Sequence, residues 1–172
     1  MDKKLYSELI KVYSNFNIPK MTVFELIPVK KLKRAKQSYG QNLKEDEVIV
    51  LLYDGTAFGS AKEGLLLTNR KIYFKNIFRP SESLALSEVA SFSTKSWLEF
   101  NINLRNGEII TIITSDTTKT VEKMSLLNEM LVVLKKGLLA TSNSAVSELI
   151  CKSCGANVEH QVGKCRYCRA EL

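Results

Sequence analysis

The chain has 172 residues, 45% hydrophobic and 25% charged, which suits one good core with a small appendage and leaves no room for two full-sized domains. Its formal charge of +7 is lopsided: residues 1–45 hold ten Lys/Arg against four Asp/Glu, residues 46–137 eleven of each, and residues 138–172 four against three. The longest apolar run, Val48 to Tyr53, is far below the ~18 residues of a membrane span, and the charge-broken start Met1-Asp2-Lys3-Lys4 shows no secretory pattern, so a cytoplasmic protein is expected.

In chain order, Leu5, Leu9, Val12, Tyr13 and Phe16, broadened by Tyr6 and Ile10, recur at helical spacing and predict a first amphipathic helix ended by Asn15, Asn17 and Pro19. Thr22 with Glu25 reads as a capping box for a short helical turn over Val23–Ile27. Pro28 suits the first position of a further helix, in which Val29, Leu32, Ala35 or Lys36, and Tyr39 form a narrow apolar stripe stopped by Gly40. Lys30, Lys31, Lys33, Arg34 and Lys36 occupy the rest of that helix. Two readings stay open here. The cations are a solvated face whose stripe docks on the central domain, or they meet an anionic membrane surface, nucleic acid or an acidic partner.

Val48–Tyr53 predicts a buried strand, followed by the small-residue loop Asp54 to Ser60. That loop lacks the Gly-Lys-Ser/Thr ending of a phosphate loop. Leu65–Thr68 and Lys71–Phe74 predict two strands joined at Asn69-Arg70; Leu84–Leu86 and Val89–Thr94 predict two more. Leu98, Phe100, Ile102 and Leu104 alternate with polar residues, and Asn106-Gly107 is the strongest hairpin signal in the chain. A two-residue turn there pairs Arg105 with Glu108, Leu104 with Ile109, Ile102 with Thr111 and Phe100 with Ile113. Ile110 and Ile112 then face the other side, where the basic helix is a candidate cover. Val121, Met124, Leu127, Leu131, Leu134 and Leu138 predict a long helix with one apolar side, widened by Leu126, Met130 and Val133 and broken by Gly137. Residues 140–147 read as a flexible linker. The expected organisation is a basic helical segment (1–44), a β-rich domain (45–137), a linker (138–149) and a cysteine-rich tail (150–172).

Seven short strands closed by a helix, with the hairpin Gly64-Leu65-Leu66-Leu67-Thr68-Asn69-Arg70-Lys71-Ile72-Tyr73-Phe74, resemble bacterial PH-like and GRAM-like domains over roughly residues 45–136. The resemblance implies an α+β fold: a seven-stranded barrel or sandwich capped by a C-terminal helix, non-catalytic, binding protein segments or, in some relatives, lipid headgroups. The first hairpin loop carries only Lys62 and Glu63 among small residues, not the basic cluster that headgroup phosphates require.

All four cysteines fall in the last 22 residues, as Cys151-x2-Cys154-x10-Cys165-x2-Cys168. Two such pairs supply a closed S4 shell for one structural Zn²⁺. The tail resembles a zinc ribbon, with Arg169 where the second knuckle often has glycine. A segment this short buries no useful core, so the ion would supply its folding free energy. His160, the only histidine, is expected to be a loop residue.

With one histidine beside the thiols, the chain offers no nucleophile–base arrangement, and an enzyme is not expected. The leading expectation is a protein-binding adaptor, with self-association open. The alternative is nucleic-acid binding through Lys30–Lys36 together with Lys164, Arg166 and Arg169, Tyr167 stacking on a base. The third is peripheral attachment to an anionic membrane.

Overall fold

The computed structural model describes residues 1–16, 18–77, 79–116, 118–148, 153–154 and 168–171, with the backbone alone over 140–148. It divides into a unit of Met1–Leu134 and a second of Lys135–Leu172. Helix α1 is Lys3–Ser14, strand β1 Met21–Val23, and helix α2 Val29–Ser38. Strands β2 to β5 are Ile49–Asp54, Gly64–Thr68, Lys71–Lys75 and Ser81–Ala85. Strands β6 to β8 are Val89–Thr94, Glu99–Leu104 and Ile109–Ile113, and helix α3 is Thr120–Glu148. Among the described residues the strands form two antiparallel sheets, of order β1-β2-β3-β4-β5 and β6-β7-β8. The fold is therefore α+β, and the sheets are separate rather than joined into a closed barrel.

Alternation along the central strands explains the layers. Leu51 and Tyr53, Leu65 and Leu67, and Ile72 and Phe74 face a core shared with Phe92, Phe100, Ile102 and Ile112 of the small sheet. Leu9 of α1 and Met124, Leu127, Met130, Leu131 and Leu134 of α3 close that core. The intervening residues Leu52, Leu66 and Tyr73 point the other way and pack under Ala35 and Tyr39 of α2. The large sheet is thus covered on both faces, and the N-terminal helices belong to the same unit as the sheets.

Five expectations are corrected. The segment around Thr22 is strand β1, paired Met21 to Tyr53 and Val23 to Leu51. The turn after it is a 3-10 helix, Phe24–Leu26, without a side-chain cap. An added strand three residues long carries too little periodicity to register in sequence; the open edge of β2 recruits it.

The hairpin is shifted by one residue. Phe100 pairs with Ile112, Ile102 with Ile110 and Asn101 with Thr111. Leu104 N donates to Glu108 O at 2.8 Å, and Gly107 takes a φ of +90°. The loop is therefore the three-residue Arg105–Gly107, with glycine in the left-handed position. A slip of one residue exchanges the faces of a strand: Ile112 is buried, whereas Ile109 and Ile113 are exposed. The basic helix covers the large sheet, not Ile110 and Ile112.

Helix α3 runs through Gly137 to Glu148 instead of breaking. A mid-helix glycine costs only about 1 kcal/mol against alanine, which the helix-forming Leu138 and Leu139 beyond it do not turn into a stop. Finally, Val121 and Leu138 of the expected apolar side stand in solvent.

Two asparagines finish the small sheet. Asn128 of α3 accepts from Phe92 N at 2.7 Å and donates to Phe92 O at 2.8 Å. Asn76 donates to Thr111 O at 3.1 Å and accepts from Ile113 N at 2.8 Å. Each side-chain amide stands in for a neighbouring strand on one edge, satisfying groups that would otherwise invite another chain.

Candidate functional site

Helix α2 splits the basic set. Lys31 lies on the side turned to the sheet, beside Ala35 and Ser38, and its Nζ sits 2.8 Å from Asp54 Oδ2. Lys30, Lys33 and Lys36 are exposed and Arg34 is half-buried. Only these remain to meet a partner; Lys31 is spent on the fold.

Asp54 ends β2 and organises the loop that follows. Its Oδ1 accepts from Thr56 Oγ1 at 2.6 Å, Thr56 N at 3.2 Å and Ala61 N at 3.1 Å. Burial pushes this carboxyl up, but the Lys31 ammonium and the Thr56 donors outweigh it, and the net shift is down. Thr56 Oγ1 in turn accepts from Ser60 N at 2.7 Å. From the far side, Lys20 Nζ donates to Thr56 O at 2.9 Å and Ala57 O at 3.1 Å. Ser38 of α2 donates to Lys62 O at 2.6 Å. The loop is therefore held at both ends and through its middle, and it lifts Phe58, 99% exposed, into solvent.

Beside it lies a buried ion pair that sequence patterning does not show. Lys123 of α3 donates to Asp116 Oδ2 at 2.6 Å, both side chains 1% exposed. Asp116 Oδ1 accepts from Thr118 Oγ1 at 2.8 Å and Thr118 N at 3.2 Å, with Lys20 Nζ 3.7 Å away. Lys123 Nζ also stands 5.1 Å from the centre of the Tyr53 ring, a cation–π contact. Burial pushes Lys123 down, and Asp116 restores it only in part. Burial pushes Asp116 up, but Lys123 and Thr118 carry it below its ordinary value. Tyr53 OH shares a 2.7 Å hydrogen bond with Thr114 Oγ1, which donates to Gly55 O at 2.9 Å. The segment that follows β8 is thereby tied to the Asp54 loop. Tyr73 and Glu47 make a separate buried contact of 2.8 Å, and burial followed by that hydrogen bond raises Tyr73 to about 12.

Of the expected metal ligands, Cys154 and Cys168 are exposed, while Cys151 and Cys165 lie outside the described residues. So do His160, Lys164, Arg166 and Tyr167. Among the described residues no three His, Cys, Asp or Glu side chains cluster as a metal site. The donor chemistry itself, four thiols in matched pairs, fits zinc. Arg169 has a φ of +61°, the left-handed conformation that glycine adopts most readily. Among the described residues no helix is long and apolar enough to cross a membrane.

Compared with protein-family models, with curated proteins and with solved structures, the chain matches none.

The residues that sequence reasoning missed are Lys20, Asp54, Asp116 and Lys123. Their partners are separated by up to 96 positions, Lys20 to Asp116, and no local periodicity marks them.

Proposed function

We propose that this chain is a non-catalytic binding protein: a PH-like, GRAM-like unit that docks a protein segment, followed by a zinc ribbon whose single ion is structural. Support for the PH-like part is the order of elements, with four strands β2–β5, three strands β6–β8 and then α3 over the core. The observation that carries the docking role is an apolar groove of about 360 Å³ lined by Val12 of α1 and by Asn128, Glu129, Val132 and Val133 of α3. Val132 is 52% exposed there, and apolar surface left open between two helices is the setting in which a partner helix or strand finds burial. When bound, Zn²⁺ would supply the folding energy of the tail; Cys151, Cys154, Cys165 and Cys168 would hold it as thiolates.

A photoreactive residue placed at Val132 should give a discrete cross-linked heterocomplex in cells, abolished by Val12→Glu and retained at 0.5 M salt. Cross-links confined to a second copy of the chain, or a band insensitive to Val12→Glu, would end the docking role.

A nucleic-acid reading is favoured by one observation, the exposure of Lys30, Lys33 and Lys36 together on α2. Three phosphate contacts give a salt slope of about −2.7, so affinity for an oligonucleotide would fall about 40-fold over a fourfold rise in salt. A flat salt response excludes it.

A further inference from the structure

Phe58 is the most exposed large hydrophobic residue described, at 99%. Three features separate it from an ordinary loop-tip residue.

First, the loop is not free to fold the ring back. Thr56 is bonded through its N–H, hydroxyl and carbonyl, the Ala57 carbonyl is held by Lys20, and Ser60 and Ala61 are held by Thr56 and Asp54. The ordering cost of the loop is met within the fold, and the aromatic ring is nonetheless left in water, forgoing about 2 kcal/mol of burial.

Second, cations flank it. Lys20 binds the carbonyls of the two residues before Phe58. A Cβ on Gly59, the residue after it, would lie 3.3 Å from Lys31 Nζ. Helix α2 therefore runs beside the loop. Arg34 follows Lys31 by one turn on that side, with Lys30, Lys33 and Lys36 exposed around it, and Lys62 is exposed at the loop's end. Carboxylates answer part of this set: Asp54 pairs with Lys31, Asp116 lies 3.7 Å from Lys20, and half-buried Glu63 follows Lys62 in the chain, while Glu25 accepts the Tyr6 hydroxyl at 2.8 Å. The positive charge offered outward is therefore that of Lys30, Lys33, Arg34 and Lys36.

Third, two further apolar side chains stand in water close by in the chain. Val29 is 83% exposed and two residues from Lys31, and Leu26 is 61% exposed at the end of the 3-10 turn that leads into α2.

We infer that the Phe58 loop and the outer face of α2 form a docking surface for an anionic lipid bilayer, with Phe58 entering the interface and the lysines resting on the headgroups. A bilayer is favoured over nucleic acid because two of the three exposed apolar groups are aliphatic and have no face on which a base could stack. It is favoured over a protein pocket because cations around inserted apolar groups match a surface that is negative above and apolar below. The surface uses none of the groove residues Val12, Val132 or Val133, so it stands or falls separately from the docking role proposed above.

The test is flotation of the full-length, zinc-replete chain with vesicles of phosphatidylcholine alone or with 30% phosphatidylglycerol. Binding to the anionic vesicles should exceed that to the neutral ones at least 10-fold. Phe58→Ser should lower it about 10-fold with the melting temperature unchanged, because the ring makes no core contact. Lys30→Gln/Lys33→Gln should lower it comparably and flatten its salt dependence. In a Trp97→Phe/Phe58→Trp variant the emission should shift to the blue on anionic vesicles. Equal binding to both vesicles, or full binding by Phe58→Ser, overturns the inference. Binding of a labelled single-stranded oligonucleotide that is lost in Phe58→Ser, without vesicle binding, overturns it in favour of nucleic acid.

Discussion

Replacing Lys123 with methionine tests whether the buried ion pair is as costly to break as its geometry requires. The carboxylate of Asp116 and the ammonium of Lys123 are 2.6 Å apart with 1% exposure each. At an effective dielectric of about 20 their attraction is about 6 kcal/mol, most of it offset by the cost of drying both ions. The intact pair therefore adds little net stability. The variant is different, since it leaves a dry carboxylate whose compensation is the two Thr118 donors and Lys20 at 3.7 Å. Breaking a buried pair costs about 3–5 kcal/mol, and these residual partners place Lys123→Met at the low end, about 3 kcal/mol. Asp116→Asn should cost a similar amount. The double variant should then cost little more than either alone, a coupling of at least about 2 kcal/mol.

Acid supplies a signed check on the same pair. In the native chain the Asp116 carboxyl is held below its ordinary value. Its stabilisation is present above the unfolded pKa and is lost as pH falls through the lower folded one. Without Lys123, burial dominates and drives that pKa up, so acidification neutralises the stranded charge and the deficit of Lys123→Met narrows from pH 7 towards 4. Urea unfolding followed by far-ultraviolet circular dichroism measures both effects. A variant within about 0.5 kcal/mol of the parent at pH 7, or a deficit that widens in acid, refutes the reasoning.

Four further outcomes are expected. The hairpin register predicts that Ile112→Ala costs about 2–4 kcal/mol and Ile113→Ala under about 1, by the same unfolding assay; the two-residue-turn register demands the reverse order. Gly107→Ala should cost about 1 kcal/mol through its φ of +90° alone, since a Cβ there meets nothing within 4 Å. Gly64→Ala, whose Cβ would lie 2.1 Å from Tyr53 O and 2.8 Å from Gly55 N, should yield no folded protein in a circular-dichroism melt. Elemental analysis of the purified chain should find one zinc per molecule, reduced to background by Cys151→Ser/Cys168→Ser, while the melting of the first unit is unchanged.

What could be read without coordinates is what repeats locally. The stripe of Leu5, Leu9 and Val12 and the apolar side of α3 announce themselves at spacings of three to four, because burial on one face imposes that period, whereas the strands read at Val48–Tyr53, Leu65–Thr68 and Lys71–Phe74 show as short apolar runs because their sheet is buried on both faces. The pairing of the four cysteines is likewise a matter of short spacing, and the sequence alone argues for zinc. The basic helix was legible as a helix, but not that Lys31 would be withdrawn to neutralise Asp54. The hairpin register, the strand added at Met21–Val23, the two asparagines sealing the small sheet and the Asp116–Lys123 pair were settled only by the tertiary structure. Asn-Gly fits a two-residue turn as readily as a three-residue loop, and the choice falls to which isoleucines reach the core. An asparagine carries no mark of a partner 35 to 37 residues away, and a lysine carries none of the carboxylate it will meet, whether that lies 23 positions off, as for Lys31, or seven, as for Lys123. Periodic burial is a property of one segment, whereas hydrogen-bond and charge satisfaction belong to pairs, and pairs exist only once the chain has packed.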